Sequence, residues 1–266
     1  VRQEDVLIKW TGSKRHQAPQ IIQFFPKTID TYHEPFIGGG SMLYVLMCSD
    51  IEVGNYSCSD LNPSLIEVWK LVKNNPQKLL DRYSERWPFN KESYYELRAE
   101  FNDGRDPLDF FCLLRSCRNG LVRYNQKGEF TSAFHLRRSG IHPDRLAPIM
   151  EDWHQKINAR DVEFQNLDYA KVRSDWDDFV YLDPPYLSED VFYQKSFETQ
   201  SFWEWLYIQN GRWALSFNDD IPRHLYGQRA TISGGFQRFN RLDKVESQHD
   251  LYLGETHEVP PNRRKR

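Results

Sequence analysis

The sequence predicts an α/β fold: a parallel-rich sheet flanked by helices, interrupted by an insert that is mostly helical and closes in a β-hairpin. Three observations carry this. Short apolar runs of strand length alternate with helical periodicity at both ends of the chain, the pattern of a sheet whose strands are joined by helices. The middle, residues 75–143, reads as successive helices followed by two strand-like stretches around Gln126-Lys127-Gly128. Two predicted strands stop in residues made for ligands, Gly38-Gly39-Gly40 after one and Asp183-Pro184-Pro185-Tyr186 after another. With 266 residues, 39% of them hydrophobic, the chain suffices for one large core or a core carrying an insertion.

Taken in order, residues 13–25 read as a helix starting near Ser13 and residues 31–36 as a strand, followed by the glycine turn and a helix over 41–48. Residues 53–59 form a second strand, ending in Asp60. The stretch 63–73 has helical apolar spacing with Pro63 in its first turn, where its missing N–H costs nothing. Helical patterns continue at 76–86, 91–102 and 107–117. Residues 121–134 then change texture to two strands of a hairpin. A helix over 143–157, a strand at 162–166 and the apolar strand 179–182 follow. Beyond them come a helix at 200–209 and strands at 212–217, 229–233 and 250–253. The stretch 187–200 has neither helical nor strand period and reads as a lid-like loop beside Tyr186.

Composition excludes several classes. Net charge is −3, so a polyanion must be met by a local basic patch rather than by overall attraction. Cys48, Cys58, Cys112 and Cys117 form no CxxC pair and read as reduced core residues. The eight histidines show no metal-binding spacing, so no metal is expected. No apolar run approaches the ~20 residues of a membrane span, and the polar first residues carry no apolar signal region. The expectation is a cytoplasmic protein without membrane attachment, monomeric in solution. The basic end, Asn262 to Arg266, reads as a terminus rather than a dedicated arm.

The chemistry concentrates at strand ends. After Glu34-Pro35-Phe36-Ile37 the glycines let the backbone pass close to a ligand, and the following helix start offers N–H groups. Dinucleotide and P-loop patterns are absent. Asp60 can accept the hydroxyls of a ribose, or can cap the next helix, a role Asn62 could fill instead. Asp168, after the strand at 162–166, could receive an adenine amino group, and it equally fits a cap. In Asp183-Pro184-Pro185-Tyr186 the prolines donate nothing and hold the chain extended. A carboxylate, a carbonyl and a flat ring together suit a planar group bearing an amine. From Arg115 to Arg138 six basic residues face one acid, Glu129, with Tyr124, Phe130 and Phe134 interleaved, as a hairpin entering a DNA groove would need.

This combination resembles the S-adenosylmethionine-dependent amino-methyltransferases of DNA, and within them the Dam-type, or D12-class, adenine-N6 methyltransferases. Lys9-Trp10-Thr11-Gly12-Ser13-Lys14 is similar to that family's K-W-x-G-x-K opening. Asn119-Gly120-Leu121-Val122-Arg123-Tyr124-Asn125-Gln126-Lys127-Gly128-Glu129-Phe130 is similar to its N-G-x-x-R-Y-N-x-x-G-x-F hairpin. The resemblance covers residues 9–186 and weakens after about residue 190. Departures occur where the family often has F-x-x-P-F-G, here Phe130-Thr131-Ser132-Ala133-Phe134-His135, and an aromatic before N-G, here Arg118.

The resemblance implies a Rossmann-like methyltransferase sheet formed by residues 1–74 and 144–266, with residues 75–143 as the target-recognition domain. It implies S-adenosylmethionine held by Trp10, Lys14, Phe36, Gly38, Gly40 and Asp60, with Asp168 and Asp183 at the same site. It implies catalysis by Asp183, Pro184, Pro185 and Tyr186: the carboxylate and the Pro184 carbonyl accept from the amine of a flipped adenine, and Tyr186 stacks on the base. Contact with double-stranded DNA falls to Lys9, Arg118, Asn119, Leu121, Arg123, Tyr124, Asn125 and Arg137, with Arg123 reading a guanine and GATC the candidate target. Cytosine-N4 methylation is the nearest rival. Glutamine methylation of proteins and a catalytically idle DNA-binding relative are further ones, and a partner endonuclease is compatible with the sequence.

Overall fold

The computed structural model describes residues 6–137, 139–185, 198–217, 222, 225, 228–238 and 244–255. Tyr186, Arg138, residues 187–197 of the expected lid and the basic end therefore lie outside the described residues.

Among the described residues seven strands form one sheet in the order β3-β2-β1-β4-β5-β7-β6. They are β1 (Thr28–Glu34), β2 (Glu52–Asp60), β3 (Val162–Asn166), β4 (Phe179–Leu182), β5 (Arg212–Phe217), β6 (Gln228–Arg238) and β7 (Lys244–Glu255). The first five run parallel, and β7 inserts antiparallel between β5 and β6. The order reverses at β1, which has β2 on one side and β4 on the other. An open parallel sheet leaves its crevice outside the carboxyl ends of the strands at such a reversal. Glu34, Asp60 and Asp183 all arrive there.

The helices are α1 (Ala18–Ile21), α2 (Ser41–Met47), α3 (Pro63–Asn74), α4 (Pro76–Arg86), α5 (Lys91–Gly104), α6 (Pro107–Ser116), α7 (Pro143–Asn158) and α8 (Thr199–Tyr207). Four of them begin on a proline, and local side chains start several. Asn62 accepts from Leu65 N to cap α3, Asp106 from Leu108 N to cap α6, and Asn90 forms a reciprocal capping box with Ser93 before α5. Among the described residues no helix is long and apolar enough to cross a membrane.

Packing is continuous from sheet to insert. Trp69 of α3 stacks on Phe164 of β3 at 5.5 Å and lies 5.0 Å from Trp153 of α7. Beyond α3, Phe101 and Phe110 stack at 4.9 Å, and Phe130 of the hairpin meets both edge-on. All of these belong to one buried cluster, so residues 75–143 share a core with the sheet helices.

Three sequence expectations are corrected. The helix expected over 13–25 is reduced to α1 and a 3-10 turn at 22–24. Gly12 is left-handed, with φ 73°, and residues 9–14 are held by tertiary contacts rather than by a helical ladder. The two hairpin strands shrink to isolated bridges, Tyr124 with Phe130 and Cys117 with Phe134. The Ser132 hydroxyl interrupts the ladder, accepting from Arg123 N at 3.0 Å and donating to Leu121 O at 2.6 Å. Of the four cysteines, all free, Cys58, Cys112 and Cys117 are buried but Cys48 is exposed just past the end of α2.

Candidate active site

A cavity of about 320 Å³ opens at the carboxyl ends of β1, β2 and β4, within the ~300–1,000 Å³ usual for small-molecule sites. Its floor is the glycine turn. Gly38 has φ 47°, and a Cβ there would meet the Trp10 ring at 2.7 Å. Only glycine lets the indole lie against this backbone. Trp69 Nε1 donates to Gly38 O at 3.0 Å, fixing the turn from the core side. Gly40 serves a different purpose from the one expected. A Cβ there would strike Trp69 at 2.8 Å, so its missing side chain lets the turn seat on the core instead of shaping the cleft wall. Phe36 does line the cleft, half-buried and 5.5 Å from the Tyr169 ring.

Asp60 sits at the end of β2. Its Oδ2 accepts from Gly38 N at 3.1 Å and its Oδ1 from Asn62 N at 3.0 Å. Burial pushes its pKa up to about 6, against the pull of the backbone N–H groups of Asn62, Gly38 and Leu61. Asn62, not Asp60, caps α3, and Asp60 faces the cleft. Asp168 lines the cleft and caps the short turn 169–171 by accepting from Ala170 N.

Asp183 stands one residue beyond β4. Lys14 Nζ donates to its Oδ1 at 2.6 Å and to Gly12 O at 3.2 Å. Lys14 is 3% exposed and the Asp183 side chain 19%. Neither charge is well hydrated, so each compensates the other. Pro185 lines the same cavity, and Pro184 joins the two. Glu34 sits beside this pair, buried at the end of β1, and accepts from Tyr32 OH at 2.9 Å. Burial raises its pKa to about 8; the Tyr32 hydroxyl opposes this, nearby Asp183 adds to it, and Leu43 N opposes it. Glu34 is thus a neutral acid in the wall near neutral pH. The sequence signal for Glu34 is an acid at a strand end before proline.

The proposed DNA contacts divide into three groups. Arg118, Asn119, Arg123 and Arg137 are exposed. Asn119 is left-handed (φ 58°), as is Gly120, so the pair makes a sharp outward turn; Leu121 beside it is half-buried. A second group is committed within the protein. Asn125 Oδ1 accepts from Lys127 N and Glu129 N, and its Nδ2 donates to Glu129 Oε2, which shapes the hairpin tip. Lys9 Nζ donates to Arg115 O at 3.1 Å, and its Cβ lies against Gly120. A third group turns inward. Tyr124 lines the cleft, and its hydroxyl accepts from Asn62 Nδ2 at 2.8 Å. Arg115, counted with the basic face from sequence, is buried and donates to Val6 O and Leu7 O, so it anchors the first described residues instead of meeting a phosphate.

Two strand-end carboxylates, one of them held by a lysine, and a glycine floor beneath an indole share one cavity. Comparison with known proteins places the chain in a family. The family model described as "D12 class N6 adenine-specific DNA methyltransferase" matches residues 10–206. The type II methyltransferase M1.LlaDCHI of Lactococcus lactis subsp. cremoris is 30% identical over 190 residues, covering 67% of this chain and 64% of that protein. Type II methyltransferase M.MjaIII of Methanocaldococcus jannaschii is 31% identical over 201 residues, covering 67% of this chain and 68% of that protein. The DNA adenine methylase of Vibrio cholerae serotype O1 is 32% identical over 194 residues, covering 70% of this chain and 66% of that protein. The chain thus spans about two thirds of the length of these relatives. Since the family match takes in the glycine turn, Asp60, the hairpin and Asp183, the chain belongs to the D12 class of N6 adenine-specific DNA methyltransferases.

Proposed function

We propose that this chain transfers a methyl group from S-adenosylmethionine to N6 of an adenine flipped out of double-stranded DNA. The observation that carries the reading is Asp183, fixed by Lys14 at the rim of the cavity that also holds Asp60 and the glycine turn. S-Adenosylmethionine supplies an electrophilic methyl group. Asp60 takes the ribose hydroxyls, while Trp10, Phe36 and Gly38 form the surrounding wall. Asp183 accepts from the exocyclic amine, with the Pro184 carbonyl as second acceptor, and so turns the nitrogen lone pair out of conjugation. Because Lys14 holds Oδ1, the arriving amine meets an oriented carboxylate and little reorganisation remains for the reaction. Tyr186 stacks on the base. Flipping costs a few kcal/mol and is needed because a stacked adenine cannot reach a cavity at a sheet edge.

Residues 1–74 and 144–266 act as the catalytic domain and residues 75–143 as the recognition domain. Arg118, Asn119, Arg123 and Arg137 meet DNA, with GATC the candidate site. The protein works as a cytoplasmic monomer, and a partner endonuclease is compatible with this role. The test is incubation of unmethylated duplex DNA with labelled S-adenosylmethionine, then digestion to nucleosides. N6-methyladenine supports the reading, N4-methylcytosine replaces it with the cytosine rival, and label in neither refutes methyl transfer to DNA. Sequencing the modified DNA identifies the site.

A further inference from the structure

The hairpin that carries the basic face is fastened to the cofactor cavity at two points, and both fastenings are side-chain hydrogen bonds across long sequence separations. Thr11 Oγ1 accepts from Val122 N at 2.9 Å. Asn62 Nδ2 donates to Tyr124 OH at 2.8 Å. Val122 and Tyr124 themselves line the cavity. Their neighbour Arg123 points the other way and is exposed, as alternation in an extended segment requires.

The second fastening is the more informative. Asn62 occupies a fully used position. Its N–H donates to Asp60 Oδ1, its side-chain oxygen accepts from Leu65 N at the start of α3, and its amide donates to Tyr124. Asp60 in turn accepts from Gly38 N in the floor of the cavity. An unbroken line of hydrogen bonds runs from the glycine floor through Asp60 and Asn62 to the Tyr124 hydroxyl. Tyr124 is held on the hairpin side by its ring, which meets Phe130 edge-on at 5.8 Å, and by its backbone bridge to Phe130. Whatever sets the position of Asp60 therefore sets the position of the residue next to Arg123.

We propose that Tyr124 is a positioning residue of the cofactor cavity and that its hydroxyl, through Asn62, couples occupancy of that cavity to DNA recognition by the hairpin. The proposal rests on the methyltransferase reading. Coupling of this kind is reciprocal: if cofactor tightens DNA by some factor, DNA tightens cofactor by the same factor. Its size is limited by the contact that transmits it. A neutral hydrogen bond of this kind is worth about 0.5–1.5 kcal/mol, equivalent to a factor of roughly 2 to 12.

The test uses S-adenosylhomocysteine, which cannot react, and a duplex carrying the sequence that the protein modifies. Calorimetry gives the affinity for S-adenosylhomocysteine with and without duplex, for the parent, for Tyr124→Phe and for Thr11→Val. Tyr124→Phe keeps the ring and removes one hydroxyl. The expected result is a parent coupling factor above about 5 that falls at least about 2-fold, toward 1, in Tyr124→Phe, while S-adenosylhomocysteine alone binds within about 3-fold of the parent. Thr11→Val removes the other fastening and is expected to lower the factor further in the double variant, and Thr11→Ser, which keeps the hydroxyl, restores it. A parent factor near 1, or an equal factor in parent and Tyr124→Phe, overturns the proposal. A Tyr124→Phe variant that loses S-adenosylhomocysteine and duplex affinity alike without a change in the factor shows a purely structural role and overturns it too. Failure of the parent to methylate DNA is a separate result that strikes the functional reading instead.

Discussion

Glu34→Gln should make the protein less sensitive to alkaline pH. Glu34 is 3% exposed and is raised from 4.5 to about 8, first by burial, with opposition from the Tyr32 hydroxyl, reinforcement from Asp183 and opposition from Leu43 N. In the unfolded chain the carboxyl ionises near 4.5. Between these values the folded state holds one more proton than the unfolded state, so stability falls as pH rises by about 1.4 kcal/mol per unit. The loss begins at the unfolded value and stops once the folded group has also ionised, near pH 8. Across that window it sums to about 5 kcal/mol, an upper bound because opening of the cleft lets water reach the ionised group. That is comparable with the whole stability of a marginal domain, ~5–15 kcal/mol. Glutamine keeps the oxygen that Tyr32 bonds and cannot ionise. Urea unfolding of both proteins from pH 4 to 9 should give curves that run together at the acid end, separate between pH 4.5 and 8 with the variant the more stable, and stay parallel above. Curves that stay parallel throughout would show that Glu34 ionises freely in the native protein.

Three further outcomes follow from the site. Asp183→Ala should lose ~10²–10³ in turnover while calorimetry shows S-adenosylmethionine still bound; retained turnover would remove Asp183 from the chemistry. For Asp60, the parent's affinity for S-adenosylhomocysteine should rise as pH increases through about 6, where burial holds this carboxyl, because the ionised form makes the stronger hydrogen bonds. Asp60→Asn should bind weakly with no such rise, and equal slopes in the two proteins would count against the ribose role. Arg123→Ala should relax the choice at one base pair by ~1–3 kcal/mol of discrimination, whereas uniform weakening across sequences would make Arg123 a phosphate contact.

What the sequence makes legible here is what local chemistry decides. Pro63, Pro76, Pro107 and Pro143 mark helix starts by themselves, and Asn62 and Asp106 cap two of them within three residues. The strand end at Leu182 is read from an apolar run that stops at a carboxylate. The reading fails where a partner lies far along the chain. The sequence predicts a helix starting near Ser13, yet residues 9–14 run as a strap held by distant partners. Lys9 reaches Arg115 across 106 positions, Thr11 reaches Val122 across 111, and Lys14 reaches Asp183 across 169. Arg115 looks like one more cation of a basic face until Val6 and Leu7 claim its guanidinium.

Tyr124 is the sharpest instance. Placed between Arg123 and Asn125 in a basic stretch, it reads as part of the DNA-facing surface. In an extended segment neighbouring side chains point to opposite faces, so once Arg123 faces out, Tyr124 faces in. The inward face here is the wall of the cavity at the strand ends. The same alternation that gives the hairpin its exposed arginine therefore hands the cavity a tyrosine. Under the proposed function, target recognition and cofactor binding meet in adjacent residues of one strand-like stretch, so that a change made for one is felt by the other.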